Sequence, residues 1–103
     1  MLRFVFLWLL LMQTAQAADL LIIIDDVGNN KALGERTVNL PGPLNLAFLP
    51  HTPHAAKLAV IAHKKGHGIM LHAPMANELG SKLGPGGLYP HMHKQILQET
   101  LID

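Results

Sequence analysis

The sequence predicts an α/β protein built on a mostly parallel sheet, and three observations carry that reading. Three short apolar runs, Leu20 to Ile24, Leu44 to Phe48 and Ile69 to Leu71, have the length and continuity of strands buried on both faces. Between them lie segments with helix-start and helix-stop signals. Each run also ends on polar or turn-forming residues: Asp25-Asp26, Pro50-His51 and His72. Alternation of strand and helix lays strands side by side in parallel under covering helices. Three strands do not complete such an architecture. The sequence is therefore expected to be the N-terminal part of a larger domain.

The first run is rich in β-branched isoleucine, and the turn formers from Asp25 to Asn30 are expected to stop it. Asn29 or Asn30 then caps a helix over Lys31 to Val38. Pro41-Gly42-Pro43 breaks the chain before the second strand. Thr52 is expected to cap the next helix, with Pro53 at its first position. Ala55, Leu58, Ala59 and Ala62 recur on one face of that helix. Lys64 and Lys65 favour its dipole, and Gly66 suits the position just beyond its end. The third strand ends at His72. Gly80 to Pro90 is a glycine- and proline-rich loop or lid. His93 to Leu101 is helical, with Ile96, Leu97 and Leu101 apolar.

Met1 to Ala17 reads as a secretory signal peptide. Arg3 supplies the positive start, Phe4 to Met12 holds no polar residue, and Ala15-Gln16-Ala17 suits cleavage. The apolar run falls short of the ~20 residues of a membrane-spanning helix. Residues 18–103 are then a single partial domain, periplasmic or secreted, with no stable membrane span after cleavage. Eight Lys and Arg against seven Asp and Glu give a formal charge of +1. That balance argues against nucleic-acid partners and against a polybasic membrane surface. The chain has no cysteine, which excludes a disulfide framework and any thiolate-ligated metal.

In parallel α/β folds, functional side chains gather at the carboxyl ends of strands. Asp25 and Asp26 sit at the first such end. Two crowded carboxylates raise one another's proton affinity unless a cation compensates. Either could instead cap the following helix or close an Asx-turn before Gly28. His72 sits at the third end. Asp and His from different strand ends suit zinc or a similar divalent ion. His51 and His54 would share a face if helical. They read either as a cap-and-loop pair or as substrate contacts or a second metal site. His63 and His67 flank a helix end and are assigned no chemistry. His91 and His93 belong to a solvated segment. Without a G-x-S-x-G elbow or a cysteine, covalent catalysis is not expected. Gly84-Pro85-Gly86-Gly87 lacks the lysine and spacing of a phosphate loop.

Several longer stretches go beyond spacing. Ile22 to Asn29 reads IIIDDVGN, Leu40 to His54 reads LPGPLNLAFLPHTPH, and Gly66 to Met75 reads GHGIMLHAPM. With Pro85-Gly86-Gly87-Leu88, these resemble the motifs of the divergent polysaccharide deacetylase family, in its YibQ-like branch, over Leu20 to Leu101. The resemblance implies a distorted (β/α) barrel of the polysaccharide deacetylase type, of which this sequence supplies the N-terminal part. It implies Asp25 as catalytic base, and Asp26 and His72 as ligands of a divalent metal, zinc. His51 and His54 carry over as family-typical residues without a settled role, and substrate binding is left open with these two as candidates. The implied reaction is metal-dependent hydrolysis of acetyl groups on a polysaccharide. The family continues into an Asn-Asn-His-Met-Gly-like segment with a further histidine, which this sequence does not contain. These residues alone are therefore expected to be inactive. The alternative is a non-catalytic periplasmic protein that binds a glycan or a partner.

Overall fold

A computed structural model describes residues 17–103. The expected signal peptide, Met1 to Ala17, lies outside the described residues except for its last position. The elements are β1 (Ile23–Val27), α1 (Lys31–Val38), β2 (Asn45–Phe48), α2 (Ala55–Lys64), β3 (Gly68–Leu71) and α3 (Lys94–Ile102). The strands form one parallel sheet in the order β1-β2-β3. The α/β alternation read from the sequence is therefore present, but only the central β2 is buried as expected, the outer β1 and β3 having one face or more uncovered, and two boundaries are corrected.

The first strand starts at Ile23 and runs through both aspartates to Val27, where a turn was expected. Burial explains the extension. Val27 is a core residue at 5% exposure, and its pairing with Phe48 carries the strand past Asp25 and Asp26. Pairing begins at Ile23 opposite Asn45, so Leu20 and Leu21 find no neighbouring strand and stay exposed. The second correction concerns α2, which begins at Ala55 rather than Pro53. The Thr52 hydroxyl donates to the Leu49 carbonyl at 2.9 Å and closes the preceding turn instead of capping. His54 takes the cap position without a side-chain cap bond. The other punctuation behaves as read. Asn30 Oδ1 accepts from the Leu33 N–H at 2.9 Å, and Gly66 adopts a left-handed φ of 86° just past α2.

Two successive right-handed crossovers that step the same way across a sheet put both helices on one face. The core lies there. Val27, Leu46 and Phe48 of the sheet meet Val38 of α1 and Leu58 and Ala62 of α2. Leu46 and Ala62 are fully buried. The helices approach closely where Gly34 faces Leu58, a contact that leaves no room for a larger residue. By alternation, Ile23, Asn45, Ala47 and Met70 point to the opposite face. No helix of the described residues is long and apolar enough to cross a membrane.

His67 joins the elements at the amino ends of β2 and β3. It is buried at 5% exposure. The Leu44 N–H donates to its Nδ1 at 3.2 Å, and its Nε2 lies 3.0 Å from the Val38 carbonyl. With Nδ1 accepting, the proton sits on Nε2 and donates to Val38. One neutral imidazole thus satisfies the end of α1 and the start of β2. Replacing His67 with Leu strips both buried backbone groups of their partner, at about 1–3 kcal/mol each. The expected outcome is a loss of about 2–5 kcal/mol in unfolding free energy, read from urea denaturation. A loss below ~0.5 kcal/mol would show that water replaces the ring without cost.

Candidate functional site

The carboxyl end of the sheet brings together two of the residues read as chemical. Between Ile24 and Val27 the register of β1 against β2 shifts, so β1 carries one residue more than its partner. Such a bulge re-aims a side chain near a strand end. Asp26 sits in it with a left-handed φ of 61°. Aspartate tolerates this region better than most residues, because its short polar side chain can bond locally. On the far strand, the His72 N–H donates to the Phe48 carbonyl at 2.9 Å and extends the ladder one step beyond β3. The imidazole then meets the carboxylate across β2, with His72 Nδ1 3.0 Å from Asp26 Oδ1.

That approach is close but out of line for a hydrogen bond. Nδ1 is buried and makes no hydrogen bond to any described residue. A buried ring nitrogen without a partner is costly, so its persistence calls for one. Two donor atoms bound at ~2.1 Å to one ion lie roughly 3.0 Å apart at a right angle and roughly 3.4 Å apart at the tetrahedral one. The observed separation and the orphaned nitrogen both fit a shared divalent cation. Among the described residues no group of three or more His, Asp, Glu or Cys side chains is assembled for a metal. The pair could therefore offer two ligands.

The support beneath Asp26 comes from a tight contact. Gly28 has a φ of 145°, and a Cβ there would strike the Thr52 hydroxyl and come within 3.2 Å of the Ala55 Cβ. The turn after β1 can lie against the start of α2 only because position 28 has no side chain. Two hydrogen bonds hold it there, from the Leu49 N–H to Val27 at 2.9 Å and from the His54 N–H to Gly28 at 3.0 Å.

The remaining candidates separate. Asp25 is exposed, and its carboxylate meets no hydrogen-bond or ion-pair partner among the described residues. His51 stands at the end of β2 with a left-handed φ of 55°, its Nε2 3.5 Å from Asp103 Oδ2. His54 lines a small cavity between α1 and α2 with Lys31, Glu35 and Lys57, away from the strand ends. The H-x-x-H pair therefore does not act as a unit, because both residues precede the helix that would have aligned them. His91 packs against Tyr89 with ring centroids 5.6 Å apart, and His93 precedes α3. His67, assigned no chemistry from the sequence, proves structural. Its one legible signal is its place between a left-handed glycine and an apolar strand.

The sequence profile of the divergent polysaccharide deacetylases matches residues 22–103. The chain belongs to the divergent polysaccharide deacetylase family. Within that family it is similar to the uncharacterized protein YibQ of Escherichia coli K12, at 32% identity over 85 residues. That match covers 82% of this chain and 27% of YibQ. The fold is similar to the crystal structure of the uncharacterized protein ATU2773 from Agrobacterium tumefaciens C58, with a TM-score of 0.70 at 20% identity. There the match covers 79% of this chain and 34% of the solved one. The chain thus spans about a third or less of the relatives it matches. The α/β fold class read from the sequence agrees with this neighbour.

The left-handed backbone makes its own demand on position 26, whatever the side chain binds. Asp26→Asn keeps a residue that accepts left-handed φ, so denaturation should show little change in stability. Asp26→Val places a β-branched residue in the same backbone state and should lose about 1–2 kcal/mol. Equal stability of the two variants would mean that the bulge relaxes.

Proposed function

We propose that this chain is part of an exported, metal-dependent hydrolase that removes acetyl groups from a polysaccharide. The observation that carries the reading is the Asp26–His72 pair. It joins two strand ends at the positions where the family motif would hold a metal, and it leaves His72 Nδ1 without another partner. A divalent cation held there would polarise the acetyl carbonyl and lower the pKa of a bound water. Asp25 lies beside the pair in sequence, exposed and free of partners among the described residues. In this reading its carboxylate takes the proton of an attacking water as general base. Catalytic zinc takes three protein ligands, so the third is proposed to come from outside the described residues. Export through Met1 to Ala17 agrees with a polymeric substrate outside the cytoplasm.

The convergence of two metal-type side chains rather than three favours a second reading. In it, the same strand ends bind a glycan or a partner in the periplasm without turnover. Acetate release from an N-acetylglucosamine oligomer and from an O-acetylated glucan, assayed on the protein with the segment that supplies the third ligand, separates the two. Hydrolysis should be abolished by a chelator and restored by zinc. Asp26→Ala and His72→Ala should lose bound metal, measured by elemental analysis. Asp25→Asn should keep the metal and slow release by about 10²–10⁴-fold. Glycan binding without acetate release at any metal loading would establish the second reading and overturn the first.

A further inference from the structure

We infer that the cleft between the 76–88 loop and the strand ends is a subsite for one sugar ring, and that His51 holds that ring. The inference rests on the glycan-directed reading above and names a part of the site that reading does not use.

The loop is a closed structure. The Ala76 N–H donates to the Leu88 carbonyl at 2.9 Å, and the Leu88 N–H donates to Pro74 at 2.8 Å, pinning its two ends together. Inside it, Asn77 Oδ1 accepts from the Ser81 N–H at 3.1 Å. Its tip folds back over the end of β2. A Cβ at Gly86 would lie 3.1 Å from Pro50 Cγ and 3.3 Å from His51 Cδ2. Between the loop and the sheet a cavity of about 310 Å³ remains, lined by Asn29, Pro50, His51, Thr52, Pro74 and Pro85 among others.

All three strands contribute to this cavity. Asn29 follows β1, Pro50 to Thr52 follow β2, and Pro74 follows β3 two residues after His72. It thus lies at the same end of the sheet as the Asp26–His72 pair, which does not itself line it. Its volume is at the lower end of small-ligand pockets, which run from roughly 300 to 1,000 Å³. One pyranose ring suits that space and a long chain does not. The lining alternates prolines, which offer apolar walls, with Asn29, His51 and Thr52, which offer hydrogen bonds. A sugar ring alternates apolar C–H faces and hydroxyls in the same way.

His51 is the residue whose conformation needs a reason. It is held at a φ of 55°, and non-glycine residues kept in the left-handed region cluster at binding and active sites. Its ion-pair contact, Nε2 to Asp103 Oδ2, has a carboxylate 78% exposed to water. Exposed pairs of this kind contribute little to stability. The fold gains little from the histidine, whereas a sugar hydroxyl in the cleft would find its ring.

The test removes the side chain and the strain together. Glycine adopts left-handed φ freely, so His51→Gly should melt no lower than the parent protein. Its affinity for an N-acetylglucosamine tetramer or an O-acetylated glucan oligomer, by calorimetric titration, should fall about tenfold. His51→Asn, which tolerates the same backbone and keeps polar groups, should fall between. In turnover the loss should appear in KM and not in kcat. Unchanged affinity would overturn the inference, as would affinity and melting temperature falling together, since that pattern marks a structural histidine. If the parent releases acetate and KM ignores position 51, only the subsite fails. If the parent, assayed with its metal site complete, neither binds nor hydrolyses either glycan, the deacetylase reading fails and takes the subsite with it.

Discussion

The rest of the fold hangs on one buried imidazole. His67 accepts from the start of β2 and donates to the end of α1, while its own backbone leads into β3. Each βα unit of a parallel sheet must return the chain from the top of a helix to the bottom of the next strand. The polar backbone at that return is buried and needs partners. Here one side chain supplies two of them. Because the ring must accept at one nitrogen and donate at the other, a neutral tautomer is built into the packing. With the amino ends of β2 and β3 fixed in this way, their parallel register follows, and so does the height at which His72 leaves the sheet.

At the opposite end the sheet is deliberately irregular. A regular β1 would alternate Asp25 and Asp26 across the two faces. The extra residue of the bulge breaks that alternation and lets Val27 return to the core while Asp26 meets His72. The bulge and the side-chain-free Gly28 serve one purpose, since the first turns the carboxylate and the second lets the following turn settle against Thr52. Rigid strands thereby position the pair, and a site carried on strands is held more precisely than one carried on loops.

The order of elements was legible because apolar runs, caps and glycines all pointed the same way. The bounds of β1 were not. Two adjacent aspartates before a glycine have the local chemistry of a turn, and only the distant pairing of Val27 with Phe48 overrides it. Thr52 misleads for a similar reason, as its hydroxyl serves the Leu49 carbonyl rather than the helix. The Asp26–His72 meeting was readable as two strand-end residues, and family motifs sharpened it. His51 and His54 look alike in sequence yet point to different places, because a single left-handed residue at the end of β2 redirects the chain. His67 was hidden among seven histidines, since nothing local distinguishes a buried one from a solvated one.

The central position of β2 has a consequence for how the sheet assembles. Asn45 pairs with Ile23 on one side and Gly68 on the other, across nearly equal stretches of chain. Closing either loop carries nearly the same entropic cost, so neither neighbour has a head start. Both must wait for β2, because parallel strands cannot form a local hairpin and each pairs only with the centre. The transition state is then organised around Leu46 and Phe48 with one helix packed on them. Changes there slow folding, while changes on the outer strands mainly hasten unfolding.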